Sequence, residues 1–124
     1  MKSTVISNGI FQGADGKQSL FDLNIPSDNN GKIIIFIHGY MGYKDWGCWG
    51  LVGEYFNLKG FGFLKYNNSH NGVTPDSPID FTDLESFSKN SYSKELEDFS
   101  ALVTHVNQLM GSEQDYLLLG HSRG

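Results

Sequence analysis

The sequence holds a single cysteine, Cys48, so no disulfide can close within the chain and the redox compartment is left unconstrained. In a composition of this kind a lone cysteine is expected to be a small buried side chain rather than a reactive thiol. Histidine is scarce too, with four residues, and no two His or Cys stand at metal-ligand spacing. With no His-Glu-x-x-His either, no metal site is expected. Positive charge is short: nine Lys and Arg face fourteen Asp and Glu, for a net charge of −5. Without a basic stripe to displace counterions, nucleic acid is not an expected partner. No apolar run approaches the roughly 20 residues that span a bilayer. The N-terminus, Met1-Lys2-Ser3-Thr4-Val5-Ile6-Ser7-Asn8-Gly9, lacks the apolar core of a secretory signal, which points to a cytoplasmic protein with no membrane partner. Neither Gly-Lys-Ser/Thr nor Gly-x-Gly-x-x-Gly occurs, so a phosphate-bearing cofactor is not expected despite Gly39, Gly42, Gly47 and Gly50.

What remains is the composition of a folded domain. Hydrophobic residues make up 39% and charged residues 19% of 124 positions, enough for a core and too apolar for a disordered tail. That length allows one domain or part of one. There is no internal repeat, low-complexity tract or linker.

Residues 4–12 and 18–25 are short and β-prone, with Gly13-Ala14-Asp15-Gly16 as a turn between them, and they read as an antiparallel hairpin. Residues 32–37 differ. Ile33-Ile34-Ile35-Phe36-Ile37 is apolar at consecutive positions, the mark of a central parallel strand buried on both faces. Asp45 is the candidate cap of a helix over residues 46–59, weakened by Gly47, Gly50 and Gly53. Residues 61–66 form the next strand. A long polar stretch follows, carrying Pro75, Pro78, Phe81 and Phe87, and loops of that length are commonly functional or mobile. Ser91 or Ser93 caps a helix to about residue 110, with Tyr92, Leu96, Phe99, Leu102 or Val103, Val106 and Leu109 as its buried stripe. Gly111 ends it, and residues 116–119 form a last strand. A hairpin followed by β-α-β-α-β implies an α/β three-layer sandwich, a mostly parallel sheet with helices on both faces.

Two strand ends carry the chemistry. Tyr116-Leu117-Leu118-Leu119 breaks into Gly120-His121-Ser122-Arg123-Gly124. Gly-x-Ser-x-Gly after a buried strand is the nucleophile-elbow pattern, in which a sharp turn lifts a serine hydroxyl clear of the sheet. Gly120 and Gly124 remove the Cβ atoms that would clash in so tight a turn. The earlier strand ends in His38-Gly39-Tyr40-Met41-Gly42.

With these two motifs, Ile33-Ile34-Ile35-Phe36-Ile37-His38-Gly39-Tyr40 and Leu117-Leu118-Leu119-Gly120-His121-Ser122-Arg123-Gly124, the chain resembles the α/β-hydrolase superfamily. Within it, the chain looks most like small bacterial esterases and acyl-peptidase-like serine hydrolases. The resemblance covers essentially the whole chain, residues 1–124, but only the front part of the family's single domain, through its fifth strand. It implies the sheet order 1-2-4-3-5, which places the two motifs side by side at a topological switch point. It implies Ser122 as nucleophile, the backbone N–H groups of Tyr40 and Arg123 as oxyanion donors, and no cofactor. His38, Gly39, Gly120, His121 and Gly124 are expected to support the elbow and its facing loop. The family's triad acid and histidine follow the serine in the chain, so both are expected beyond Gly124 and the 124 residues alone are expected to be inactive.

The substrate implied is a small carboxylic ester. The alternative is an acyl-peptide, cleaved by an acyl-aminoacyl or dipeptidyl-type peptidase on the same scaffold. A non-catalytic truncated remnant is the third reading. His38 is expected to bond its own loop rather than act as a base, and His121 to pack under the elbow. His70 lies either at the pocket mouth or in solvent, and His105 on the surface. Trp46, Trp49 and Tyr43 are either pocket aromatics or, by default, core packing residues. Arg123 is either a carboxylate partner or a surface residue.

Overall fold

The computed structural model describes residues 3–124, in which nine elements alternate. Strands β1 (Thr4–Gln12) and β2 (Gln18–Ile25) form the expected hairpin, joined through a 3-10 turn at Ala14–Gly16. Then come β3 (Lys32–Ile37), α1 (Trp49–Leu58), β4 (Gly62–Tyr66), the short α2 (Leu84–Ser88), α3 (Tyr92–Met110) and β5 (Asp115–Gly120). The sheet order is β1-β2-β4-β3-β5, with β2 antiparallel to β4 and with β4 and β5 both parallel to β3.

The consecutive apolar residues of β3 serve two cores. Ile33 and Ile35 point to one face, where they meet Leu64, Tyr66, Phe11, Phe21 and the Leu102 and Val106 side chains of α3. Ile34 and Phe36 point to the other, against Phe63 and the Trp49, Val52 and Phe56 side chains of α1. Alternation along a strand puts successive side chains on opposite faces, so a strand between two helix layers must be apolar throughout.

Two local expectations are corrected. Helix α1 starts at Trp49, and Asp45 does not cap it, because Gly47 takes a left-handed backbone (φ 65°) that breaks the helical path. Asp45 instead pairs with Lys44 and Lys65. The stripe of α3 runs through Asp98, Leu102 and Val106, while Tyr92, Leu96 and Leu109 are exposed. Ser91 is the cap, accepting from the Lys94 N–H at 3.2 Å. The residues that follow β4 are packed despite their polarity: Asn67, Asn68, Ser69, His70, Asn71 and Val73 are all buried.

Burying so polar a segment demands partners, since an unpaired buried polar group costs about 1–3 kcal/mol. Asp98 supplies one of them and braces the hairpin turn as well. Its carboxylate is fully buried and accepts from the backbone N–H of Ala14 at 2.7 Å and of Ser69 at 2.8 Å, tying α3 to the hairpin turn and to the loop after β4. Replacing Asp98 by Ala orphans both donors and is expected to cost about 2–4 kcal/mol, with Asp98→Asn milder. Urea unfolding checks this, and an unchanged midpoint in Asp98→Ala contradicts it.

Candidate active site

The register of the β3–β5 ladder sets Ile37 opposite Gly120, so the two strands end together and their loops leave side by side. After β5 the chain turns at once. The His121 N–H donates to the Ile37 carbonyl at 3.1 Å, and the Gly124 N–H donates back to the His121 carbonyl at 3.0 Å. Ser122, at the apex, has φ 58°, a left-handed conformation that costs a non-glycine residue about 1–3 kcal/mol. A side chain on Gly120 would run into the Gly124 carbonyl, and one on Gly124 into the Ile37 carbonyl. Ser122 is exposed.

The facing loop is fitted to this turn. A Cβ on Gly39 would lie 2.9 Å from Ser122 Cβ and 2.8 Å from the His121 carbonyl, closer than atoms tolerate, so only glycine lets the two backbones meet. The same point lies 3.5 Å from the Arg123 nitrogen, so the loop and the residue after the serine share one corner. The loop is closed by the Gly42 N–H donating to the Gly39 carbonyl at 2.9 Å, with Met41 left-handed (φ 59°). The Asn71 side chain holds the Gly42 carbonyl at 3.2 Å.

His38 is buried and spoken for at both ring nitrogens. Nδ1–H donates to the Gly39 carbonyl at 2.9 Å, and Nε2 accepts from the Asn68 N–H at 3.0 Å. This is the neutral tautomer. Burial pushes its pKa down to about 4, with the Gly39 carbonyl opposing and the Arg123 charge reinforcing the shift. As expected, His38 bonds its own loop.

A cleft of about 320 Å³ opens at Ser122, lined by Gly39, Tyr40, Met41, Gly42, Trp46, Trp49, Phe81, His121 and Ser122. Trp46 and Trp49 are therefore cleft residues as well as packing residues. The Trp49 ring lies 4.3 Å from that of Phe36 and 4.9 Å from that of His121. His121 is not buried under the turn: it is exposed and lines the cleft, with its ring beside Trp49. The Arg123 side chain leaves the cleft. Its guanidinium stacks on Tyr92 at 4.3 Å and lies 3.4 Å from Glu95.

The other expectations fare unevenly. His70 is neither at a pocket mouth nor in solvent; it is buried, 2.7 Å from Ser69 Oγ, with Asp15 at 3.6 Å. His105 is half-buried with its ring edge-on to Phe21. Cys48 is exposed, because it precedes α1 on the outer surface instead of lying in the core. Among the described residues, none of the four histidines hydrogen-bonds Ser122. Sequence reading missed Met41 and Phe81 in the cleft. Phe81 lies some forty positions from Ser122 and reaches the cleft only because the stretch after β4 folds back, with Phe81 and Phe87 against Gly72.

Behind the cleft sits a buried lysine. Lys44, next to the loop, is 1% exposed; its Nζ bonds Asn8 Oδ1 at 2.7 Å, Asp45 at 2.7 Å and Asp22 at 3.1 Å. Its N–H donates to Asn67 Oδ1. Lys65 completes a set of two cations and two carboxylates. Burial raises Asp45, but Lys44 and Lys65 outweigh it and hold its carboxyl below the ordinary range. A bulge in β1 between Ile6 and Gly9 brings Asn8, left-handed at φ 53°, to this lysine.

The depressed His38 has a pH signature. Its folded pKa of about 4 lies below the unfolded value near 6.5, so the unfolded chain binds the extra proton between these values. The stability contributed is complete above pH 6.5 and is lost as pH falls toward 4, by up to about 3 kcal/mol. His70, also lowered by burial, acts in the same direction. NMR titration is expected to find His38 neutral at pH 5.5; a midpoint near 6.5 contradicts the buried neutral tautomer.

No family profile matches the sequence, and no curated protein matches it. Solved structures do. Est1E from Butyrivibrio proteoclasticus, bound to ferulic acid, superposes with a TM-score of 0.67 at 25% identity, over 94% of this chain and 43% of its own. Dienelactone hydrolase from Anabaena variabilis matches at a TM-score of 0.70 and 12% identity, over 98% of this chain and 53% of its own. A thermostable carboxyl esterase from Bacillus coagulans, in complex with glycerol, matches at 0.68 and 19%, over 98% and 36%. The chain thus spans between roughly a third and a half of the length of these proteins. Among the described residues, no helix is long and apolar enough to cross a membrane. The strand order, the helices on both faces and these likenesses agree: the chain has the α/β-hydrolase fold, and holds its N-terminal part through the turn after β5.

Proposed function

We propose that this chain carries the nucleophile and the oxyanion donors of a serine hydrolase that cleaves uncharged carboxylic esters. The observation that carries the reading is Ser122 itself, exposed at φ 58° on a turn whose neighbour, Gly39, has no room for a side chain. A serine held at that strain by two glycines and a facing loop fits a nucleophile elbow.

In the proposed reaction Ser122 Oγ attacks the ester carbonyl carbon as its proton passes to a base. The carbonyl oxygen becomes an anion and is met by the N–H groups of Tyr40 and Arg123. The C–O bond to the alcohol then breaks, the alcohol leaves with the proton, and water hydrolyses the acyl-serine. Each oxyanion donor is worth about 2.7–4 kcal/mol in the transition state. These donors are backbone groups, so the departure of the Arg123 side chain toward Tyr92 costs the reaction nothing.

The base is not His38, which is neutral with both nitrogens occupied. We assign the base and its carboxylate partner to sequence outside these 124 residues, and the 124 residues alone are inactive in this reading. Among the described residues the cleft lining holds no cation, Arg123 being turned to Glu95, which suits an uncharged ester. Est1E, which binds ferulic acid, and the carboxyl esterase support the same direction.

The test is turnover by the active protein that contains this chain. Nitrophenyl esters are expected to be hydrolysed and aminoacyl-anilides not, with Ser122→Ala lowering kcat by about a thousandfold or more. Turnover of anilides alone rejects the ester reading, and undiminished activity in Ser122→Ala rejects the nucleophile.

A further inference from the structure

The aromatic side chains at Ser122 come from separate parts of the chain. Trp46 precedes α1, Trp49 opens it, and Phe81 comes from the segment between β4 and α2. Each is fixed from behind. Trp49 lies against Phe36, Trp46 lies 6.2 Å from Trp49, and Phe81 stands edge-on to Tyr43 at 5.7 Å. Trp46 nevertheless leaves about half its surface, 48%, uncovered. An indole set against a catalytic-type turn and left half bare costs solvation that packing elsewhere would recover.

The cleft is also poor in charge. Among its lining residues there is no Lys, Arg, Asp or Glu. Lys44, beside the facing loop, is paired with Asp45, which also pairs with Lys65. Arg123, adjacent to Ser122 in sequence, is held on Tyr92 and Glu95. A carboxylate or ammonium entering the cleft would be desolvated without a partner. A flat ring would meet aromatic faces and edges, which add about 0.5–1.5 kcal/mol per pair beyond area burial. At about 320 Å³ the space suits one ring with a short linker to the scissile carbonyl.

From this we infer that Trp46, Trp49 and Phe81 form a subsite for an uncharged aromatic group of the substrate, so that the enzyme selects esters carrying a ring one short linker from the carbonyl. The inference rests on the reading of Ser122 as the nucleophile for its placement, but binding can be measured without turnover. The sequence has two tryptophans, and both line the cleft, so their fluorescence reports occupancy directly.

The experiment uses the full chain with Ser122→Ala, which prevents hydrolysis. It is titrated with methyl 3-phenylpropanoate, with methyl 3-cyclohexylpropanoate and with free 3-phenylpropanoate. The cyclohexyl ester matches the ring in size and exceeds it in hydrophobicity, so it isolates aromatic recognition. The phenyl ester is expected to bind at least about threefold tighter than the cyclohexyl ester, and the carboxylate at least about tenfold weaker. Phe81→Leu and Trp46→Leu keep apolar bulk and are expected to abolish the phenyl preference. Circular dichroism verifies their folding, and retention of the preference in both folded variants overturns the subsite. So does equal or tighter binding of the cyclohexyl ester, tighter binding of the carboxylate, or no fluorescence response to any ligand. If the phenyl preference is found but Ser122 proves unreactive in the active protein, the subsite stands and the nucleophile assignment falls.

Discussion

The parallel pairing of β5 with β3 is the constraint on which the cleft depends. Because Ile37 lies opposite Gly120, the two strands run out at the same level, and the His121 N–H can close onto the Ile37 carbonyl. A shift of one residue would put Ser122 on the other face of the sheet and separate it from Gly39. The register is held by the apolar run of β3, which is committed to a helix layer on each side and cannot slip without burying Lys32 or exposing Ile35. Core packing thus sets, at a distance, the contact between two loop backbones.

Around that contact the protein spends polar groups freely. The segment from Asn67 to Asn71 is buried; Asn67, Asn68 and Asn71 are tied to Lys44, His38 and Gly42 of the loop after β3, and Ser69 to Asp98 of α3. Paired networks of this kind stiffen what they surround, although Asn68 Oδ1 is buried without a hydrogen-bond partner among the described residues. Here they brace the loop that faces Ser122 from behind. The Lys44 set does the same from the hairpin side, where the β1 bulge delivers Asn8. Breaking a buried charge set by removing one member costs about 3–5 kcal/mol, so such a brace is stiff but exacting.

Much of this was legible in the residues. The consecutive isoleucines gave away a strand buried on both faces, and the glycines at 120 and 124 marked a tight turn around Ser122. The strand order came from resemblance and not from any periodicity, and the structure agrees with it. What was hidden has physical causes. Periodicity in α3 identified Tyr92 and Leu96 as apolar, but it cannot say what covers them, and here both stay largely exposed, with the Arg123 guanidinium on the Tyr92 ring. The polar residues after β4 gave no sign of being buried, because their burial depends on partners 23 to 48 positions away. Phe81 carried no local signal of its place beside Ser122. Cys48 was misjudged because a general preference for burial says nothing of a residue at the outer start of a helix.

The central claim is that the strained serine at the end of β5 is the reactive group. Its most direct test is labelling of the active protein with a fluorophosphonate, followed by peptide mapping of the modified residue. The account predicts a single adduct on Ser122, lost in Ser122→Ala. An adduct on another serine, or an active enzyme that takes up no label, would contradict it.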